Sequence, residues 1–478
     1  MLSFMGFLNG RPNIQKREQK CRRKGGSTWV VALGVGMVTT QAPAGGVSAS
    51  ALDHNSSKTQ MSMTQAYELA LAQNQALQAH RQNLAAESEN IDQAWSQVLP
   101  NVQAYLRRGK AEYTTGFVED ASADFTRSGI SLVQPLFSMR RFEGISAAEA
   151  GVARFEKDFQ LKQSQTGLET LHAYIDAANA QKLLKLSRTE LKDHQTRMDR
   201  VEAMLERGLA TEVDKLETQS KYDELKAQEI ADTHNLKVML KRLEQYVGER
   251  NLAVAPIPDT LYPVSEKILA HTHWVSQIQS HALSVKVAES ALKESRQKKA
   301  VSQGEYYPEL NARVEYRKTD SYETGMENES RAVLEMSMPL YEGGRTNSAV
   351  RQAQNQIDRD AFFLADEKHK VAVQAEEALS KIRGTYENIQ AYQRSVDSAQ
   401  AYLQAAEKGL TYGLRSVYEV LEAKTKLYNA QKRLVQQKHD NLKAQLELLF
   451  LSGQFSPQVV SRLLQSQQLP ERLTASLD

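Results

Sequence analysis

Apart from Cys21, the 478-residue chain contains no cysteine. Disulfides, thiolate metal sites and a cysteine nucleophile are therefore excluded beyond that position. Long hydrophobic runs are missing as well. The mean hydropathy is −0.53, and beyond residue 51 no uncharged apolar stretch approaches the ~20 residues of a transmembrane helix. Nor is there a surplus of positive charge. Lys and Arg number 60 against 58 Asp and Glu, and residues 1–51 hold 7 of the bases and 1 acid, Glu18, which leaves 53 against 57, a net charge of −4. A dedicated nucleic-acid binder of this size is normally basic, so nucleic acid is not an expected partner. Catalytic signatures are lacking too: there is no GxSxG, HExxH, P-loop or dinucleotide fingerprint. The histidines are scattered, and only His271 and His273 lie close together. No catalysis, no cofactor and no metal is expected.

What is present begins with an export signal. A basic cluster over 16–24 (KREQKCRRK) precedes a short apolar run, Trp29 to Val38, and small residues ending in Ala49-Ser50-Ala51. Basic region, short apolar core and A-x-A site together predict a signal peptide over 1–51 and a mature chain outside the cytoplasm. An exported chain without an apolar helix is either soluble or inserts as a β-barrel.

Prolines divide the remainder. Between Pro135 and Pro256, and between Pro339 and Pro457, the chain is free of proline and rich in Ala, Leu, Gln, Lys and Glu, the good helix formers. Leu161, Leu168 and Ile175 recur every seven residues with Leu171 and Ala178 as companions. Val420, Leu427, Leu434 and Leu448 keep the same spacing, interrupted by Asn441. This is coiled-coil patterning. Each stretch is broken once, at Gly208 and at Gly413, and Thr211 and Ser416 follow as N-cap residues. Each therefore predicts a long antiparallel helical hairpin, over 140–247 and 344–450.

Strands precede the hairpins. Leu310, Ala312, Val314 and Tyr316 alternate with polar residues, as do Ala332, Leu334, Met336 and Met338 apart from Val333. Period 2 marks strands with one apolar face, at about 308–319 and 330–341, joined by a polar link. The corresponding pair in the first half, at about 101–115 and 124–137, alternates less clearly. Helical segments, 64–98 and 274–303, come before each pair. Phe137 and Tyr341 are expected to pack where strand turns to helix. The two halves align throughout: Val98-Leu99-Pro100 with Tyr306-Tyr307-Pro308, Gln134-Pro135-Leu136-Phe137 with Met338-Pro339-Leu340-Tyr341, and Gly208 with Gly413, 205 residues apart. A duplicated unit follows, with repeats over 52–255 and 274–454, a linker at 256–273 and a tail at 455–478. Four strands cannot close a transmembrane barrel, because ~8 is the smallest common number, and an open edge is not viable in lipid. If the strands enter a membrane, several chains must pool them.

With these motifs in order, and with GLATEVD over 208–214 and GLRSVYEVLEA over 413–423, the chain resembles the TolC-type outer-membrane channels of efflux and type I secretion, from about Met63 to Gln454. The resemblance implies a mainly α protein with a β-barrel portion. As a homotrimer it would form a 12-stranded outer-membrane barrel continuous with a long α-helical barrel in the periplasm. The implied partners are a second and third copy of the chain, a periplasmic adaptor (membrane fusion) protein, an inner-membrane pump indirectly, and outer-membrane lipid. The implied function is a passive exit duct for small molecules or unfolded proteins.

It also implies site residues. Glu419 and Glu422, three apart on one helical face, match the acidic rings of the periplasmic entrance, with Glu where the best-known member has Asp. The alternative is that both are solvated surface acids. Arg415 and Asp214 match gating links, although Leu410 stands where the family has tyrosine and Val213 where it has a hydroxyl residue, leaving Tyr412 or Tyr418 as substitutes. Gly208, Leu209, Gly413 and Leu414 mark hairpin tips for adaptor docking. Tyr105, Tyr113, Phe117, Phe125, Tyr316 and Tyr322 are candidates for interfacial aromatic girdles. The rival to a duct is a soluble periplasmic coiled-coil adaptor or scaffold.

Overall fold

The computed structural model describes residues 60–115, 118–257, 274–321 and 325–455. The expected signal peptide, most of the linker and the tail beyond Phe455 lie outside the described residues. Those described belong to one structural unit within 56–478.

In chain order the elements are β1 (Gln60–Met61), α1 (Met63–Gln73), α2 (Gln75–Ser96), β2 (Asn101–Thr115), β3 (Val118–Phe137), α3 (Met139–Glu206) and α4 (Glu212–Val247). They continue with β4 (Ala253–Val254), α5 (Trp274–His281), α6 (Leu283–Gly304), β5 (Glu309–Ser321), β6 (Gly325–Ser337), α7 (Arg345–Thr411) and α8 (Val417–Leu451). The 68 residues of α3 correspond to ~100 Å at 1.5 Å per residue. Such a helix gains its stability from neighbours along its length rather than from propensity. Here α4 and α8 lie against α3, and α8 also pairs with α7.

The leading helical segments differ from a single reading of each. Residue Asn74 divides α1 from α2: its backbone is extended, its Oδ1 accepts from the Leu77 amide at 3.0 Å, and its Nδ2 donates to the Tyr246 carbonyl at 3.2 Å. The break thus caps one helix and ties it to the end of α4. Ala282, also extended, separates α5 from α6.

The four long strands form one antiparallel sheet in the order β2-β3-β5-β6. β3 begins at Val118 rather than near 124, and β6 at Gly325 rather than 330. In both cases the backbone ladder runs on past the residues that alternate, pairing Ala121 with Tyr113 and Asn328 with Lys318. At its other end β6 stops at Ser337, before Pro339, which has no N–H to give a ladder. Tyr341 does not pack as expected: it is 88% exposed.

Register aligns the apolar residues across all four strands. Val102 pairs with Leu132, Leu132 with Val314 and Val314 with Ala332; beside them run Ala104, Ile130 and Tyr316. Val102, Leu106, Ile130, Val314, Tyr316 and Leu334 are all large and all exposed. The opposite face is charged. There Tyr105 donates to Glu315 at 2.8 Å, and Arg317 pairs with Glu329. Of the girdle candidates, Tyr316 therefore stands on the apolar face and Tyr105 and Phe125 on the charged one. Phe117, Tyr322 and the side chain of Tyr113 lie outside the description.

The principal core forms where α1, α3, α4, α5, α7 and α8 converge, around Tyr67, Leu171, Ile175, Leu243, Ile382 and Leu446. Asn441, the interruption in the heptads, is fully buried there and fully engaged. Its Nδ2 donates to the Ile382 carbonyl at 3.1 Å and to Thr385 Oγ1 at 2.8 Å, and its Oδ1 accepts from Gln445. A satisfied polar group at a core heptad position specifies register. A second, smaller core joins α7 to α8 through Leu403, Ala406, Val420 and Leu427.

Tyr174 fastens the short strand pair to α3. Its hydroxyl lies 2.9 Å from both the Met61 and Ala255 carbonyls, to which it donates at the end of the β1–β4 ladder. Replacing it by phenylalanine keeps the ring and removes the one donor that the two carbonyls share, although the Met61 carbonyl still accepts from the Ala255 N–H at 3.0 Å. Tyr174→Phe is expected to lower stability by ~1–2 kcal/mol in urea unfolding; an unchanged midpoint would show that the hydroxyl holds nothing.

Candidate functional site

The two helical hairpins end in the same backbone structure. After α3, Gly208 adopts φ +72°, its N–H donates to the Leu205 carbonyl at 2.9 Å, and the Leu209 N–H donates to Met204 at 2.8 Å. After α7, Gly413 adopts φ +69°, with Gly413 N–H to Leu410 at 3.0 Å and Leu414 N–H to Gly409 at 2.8 Å. Both are Schellman motifs, in which the left-handed residue is glycine because a Cβ would be strained there. Capping boxes follow. The Asp214 N–H donates to Thr211 Oγ1 at 3.2 Å while Asp214 Oδ2 accepts from the Thr211 N–H at 2.9 Å. The Glu419 N–H donates to Ser416 Oγ at 3.2 Å while Glu419 Oε2 accepts from the Ser416 N–H at 2.8 Å. Each tip thus projects one bulky apolar residue on a rigid turn, Leu209 and Leu414, both well exposed.

Asp214 and Glu419 consequently occupy equivalent places in the two repeats, each the third residue of a capped helix. Both carboxyls are held below the usual carboxylate range, first by the backbone N–H of the cap residue. Within the chain Arg415 meets Glu419, Nη1 to Oε1 at 2.6 Å, and not Asp214. Glu422 pairs with Lys426 at 3.0 Å. Each candidate ring acid therefore has a cation one turn further along or before it. Tyr412 projects into solvent, whereas Tyr418 turns to a cavity between α3, α4 and α8.

A ladder of polar contacts links α3 to α8, and sequence reasoning missed it. Asp193 Oδ2 accepts from Lys424 Nζ at 2.8 Å and from the Tyr428 hydroxyl at 2.9 Å. Glu190, with no exposed surface, accepts from Lys432 at 2.9 Å, and Lys443 pairs with Asp176. Arg197 reaches Glu407 on α7 at 3.7 Å. Burial raises both carboxyls on the first two rungs. For Asp193 the hydrogen bonds from Lys424 and Tyr428 outweigh it and the net shift is down; for Glu190 burial prevails and the shift is up. The signal in the sequence was acids at 176, 190 and 193 facing bases at 443, 432 and 424, which a single-helix periodicity does not pair.

At the tip end of this ladder sits a cavity of about 530 Å³, lined by His194, Leu216, Lys221, Tyr418, Leu421 and Glu422 among others. His194 is fully buried, and neither ring nitrogen has a hydrogen-bond partner; Thr425 Oγ1, on the same wall, has none either. Burial pushes the imidazole down to about 4, helped by the cations Lys221, Arg197 and Lys424 and opposed by Asp193. No group of three or more metal-ligating side chains occurs among the described residues.

Comparison with known proteins places this arrangement. The chain matches the family described as outer membrane efflux protein over residues 66–249 and 274–454. It is 27% identical over 408 residues to the alkaline protease secretion protein AprF of Pseudomonas aeruginosa, covering 81% of this chain and 83% of that one. It is 23% identical over 412 residues to the outer membrane protein TolC of Escherichia coli, covering 83% of each. Among solved structures, the outer membrane protein VceC of Vibrio cholerae superposes with a TM-score of 0.69 at 15% identity, covering 82% of this chain and 96% of that one.

The buried imidazole makes a stability prediction. Its pKa falls from ~6.5 in the unfolded chain to about 4 in the fold, so the unfolded state binds the proton more readily. The neutral ring's contribution is complete above pH ~6.5 and is lost as pH falls through that value toward 4, reaching about 3 kcal/mol. His194→Leu should flatten the decline of Tm between pH 7 and pH 4 relative to the unaltered protein. Parallel declines would remove His194 from the acid response.

Proposed function

The chain belongs to the outer membrane efflux protein family, and from that premise we propose that it is the exit duct of a tripartite efflux or type I secretion system. It passes small molecules or unfolded proteins from an inner-membrane pump to the exterior by diffusion. The observation that carries this reading is the sheet. It presents an apolar band around Val102, Leu106, Ile130, Val314 and Leu334 to the surroundings, giving way to Arg108, Lys110 and Lys318 further along the same face. Among the described residues both β2 and β6 are edges without a neighbour. In lipid, unpaired backbone groups cost several kcal/mol each, so a spanning sheet must close on itself. Three copies would pool twelve strands, a common size for a barrel, with the apolar face toward lipid and the charged face toward the lumen. A soluble coiled-coil adaptor or scaffold would leave the same face in water, where large apolar patches mark a missing environment.

The helical hairpins then extend into the periplasm and carry the entrance. Gly208, Leu209, Gly413 and Leu414 are the surface offered to a periplasmic adaptor: two rigid turns with exposed leucines. Glu419 and Glu422 form the acidic rings. Their pairing with Arg415 and Lys426 makes the net field at the entrance a balance that neighbouring copies adjust. Arg415 and Asp214 are gating residues in the sense that each is held by its own helix end and can exchange that partner for one on an adjacent copy. Energy and direction come from the pump.

Single-channel recording of the purified, signal-cleaved protein in a planar bilayer tests the reading. Cation-selective pores are expected, with the cation-to-anion permeability ratio moving toward unity in Glu419→Gln/Glu422→Gln. Arg415→Gln, which releases Glu419, should move the ratio the other way. Selectivity indifferent to all three changes would remove these residues from the entrance, and failure to insert would overturn the duct itself.

A further inference from the structure

A larger cavity, about 1160 Å³, opens where α3, α4, α8 and the β4 segment meet. Its floor is apolar and closed: Leu184, Leu252, Val254 and Leu434 are all buried. Its walls add Leu236 and Leu240 from α4 and Val396 from α7. The rim is a different chemistry. Lys182, Lys185 and Lys192 stand exposed along one face of α3, with Arg188 between them and Lys438 opposite on α8. No carboxylate lines the cavity among the described residues. In a chain with 60 basic and 58 acidic residues, five charged lining positions of one sign are not what surface chance distributes.

Two further observations describe this rim. First, the lysines flank the packed face of α3, which at this level runs through the buried Leu184, Ser187, Glu190 and His194. Leu161, Leu168 and Ile175 lead at seven-residue steps to Lys182, and Leu171 and Ala178 lead to Lys185 and Lys192. The seven-residue spacing of the apolar positions thus continues into cations on the exposed side of the helix. Second, among the described residues Lys182, Lys185 and Lys192 have no ion-pair partner, whereas Arg188 is held by Glu229 at 3.1 Å. On α4, by contrast, Lys221, Lys226 and Lys241 each meet a glutamate one turn away. The ammonium groups of Lys182, Lys185 and Lys192 stand beside an apolar floor.

We propose that this cavity binds an amphipathic anion, a molecule with an aliphatic or ring body and a single anionic head. The body lies on Leu184, Leu434 and Val254, and the head is held by Lys182, Lys185 and Lys192 in charge-assisted hydrogen bonds. Apolar pockets with a few convergent polar groups are the usual form of small-molecule sites, and their volumes run to ~1,000 Å³. The same chemistry is presented by a free aliphatic carboxylate and by an anionic lipid.

Photolabelling tests the proposal on the full, purified protein. The probes are a diazirine-bearing hexadecanoic acid, the corresponding alcohol, and a phosphatidylglycerol carrying the same diazirine in a nanodisc. The acid should label peptides containing Leu236–Leu240 and Leu434–His439, and unlabelled palmitate should compete. In Lys182→Gln/Lys185→Gln/Lys192→Gln the labelling of these peptides should fall about tenfold or more, the loss expected when charge-assisted contacts are removed. Labelling of the strand peptides, which depends on the tail alone, should stay constant and serves as the internal reference. The charge-matched variant Lys157→Gln/Lys162→Gln/Lys370→Gln should label like the unaltered protein. Labelling by the acid but not the phospholipid identifies a soluble amphiphile as the ligand, and the reverse identifies a lipid. Equal labelling of the cavity by acid and alcohol, no labelling there by any probe, or no loss in the triple variant would each overturn the proposal.

Discussion

Among the described residues the outer strands β2 and β6 have no neighbours, and the rest of the structure depends on how those edges are satisfied. A sheet with one apolar face and two open edges has no stable home as a single copy: water penalises the face, and lipid penalises the edges. Only closure with other copies meets both demands. On the duct reading, that closure decides everything attached to the sheet. Each β-hairpin leads directly into a long helix, α3 at Met139 and α7 at Arg345. Gathering the strands into a ring therefore gathers the helices as well. The same backbone constraint that closes a barrel in lipid sets a tube of helices beside it in water.

Along those helices the means of cohesion changes. The converging core around Leu171, Ile175 and Leu446 is apolar and tight, with Asn441 fully bonded within it. Toward the tips the contacts between α3 and α8 become polar: Asp193 with Lys424 and Tyr428, then Glu190 with Lys432. Buried ion pairs contribute little net stability against an apolar equivalent, because desolvation offsets the attraction, but they fix one partner opposite another. Beside them lie the unpartnered nitrogens of His194 and the free Thr425 hydroxyl. In the tip half α3 and α8 are thus held in register by directional contacts, and apolar burial is confined to the smaller core that joins α7 to α8 around Leu403, Ala406, Val420 and Leu427. Regions that must move are drawn from such low-stability parts of a fold.

Much of this was legible in the residues. The duplication, the strand pairs and the hairpin ends are written in short-range chemistry: a glycine for a left-handed turn, a hydroxyl three residues before an acid, alternation on a strand. Asn74 and Ala282 were not legible as breaks, because each lies in a run of good helix formers and its extended backbone answers to distant contacts, Tyr246 in the case of Asn74. The extensions of β3 and β6 were equally hidden. A ladder is built from backbone groups and continues wherever a partner strand continues, whatever the side chains do. Tyr341 was expected to pack and instead projects outward.

The sequence by itself determined the class of architecture, because periodicity, caps and turns are decided between residues a few positions apart. Family membership reinforces that reading through motifs that are themselves local. Tertiary structure alone decided the pairings. That Lys424 and Lys432 answer acids more than 200 positions earlier, and that the lysines of α3 border an apolar hollow, both depend on which helix lies beside which. Electrostatic and packing energies act between neighbours in space, and a linear pattern states which face of a helix is charged without stating what that face will meet.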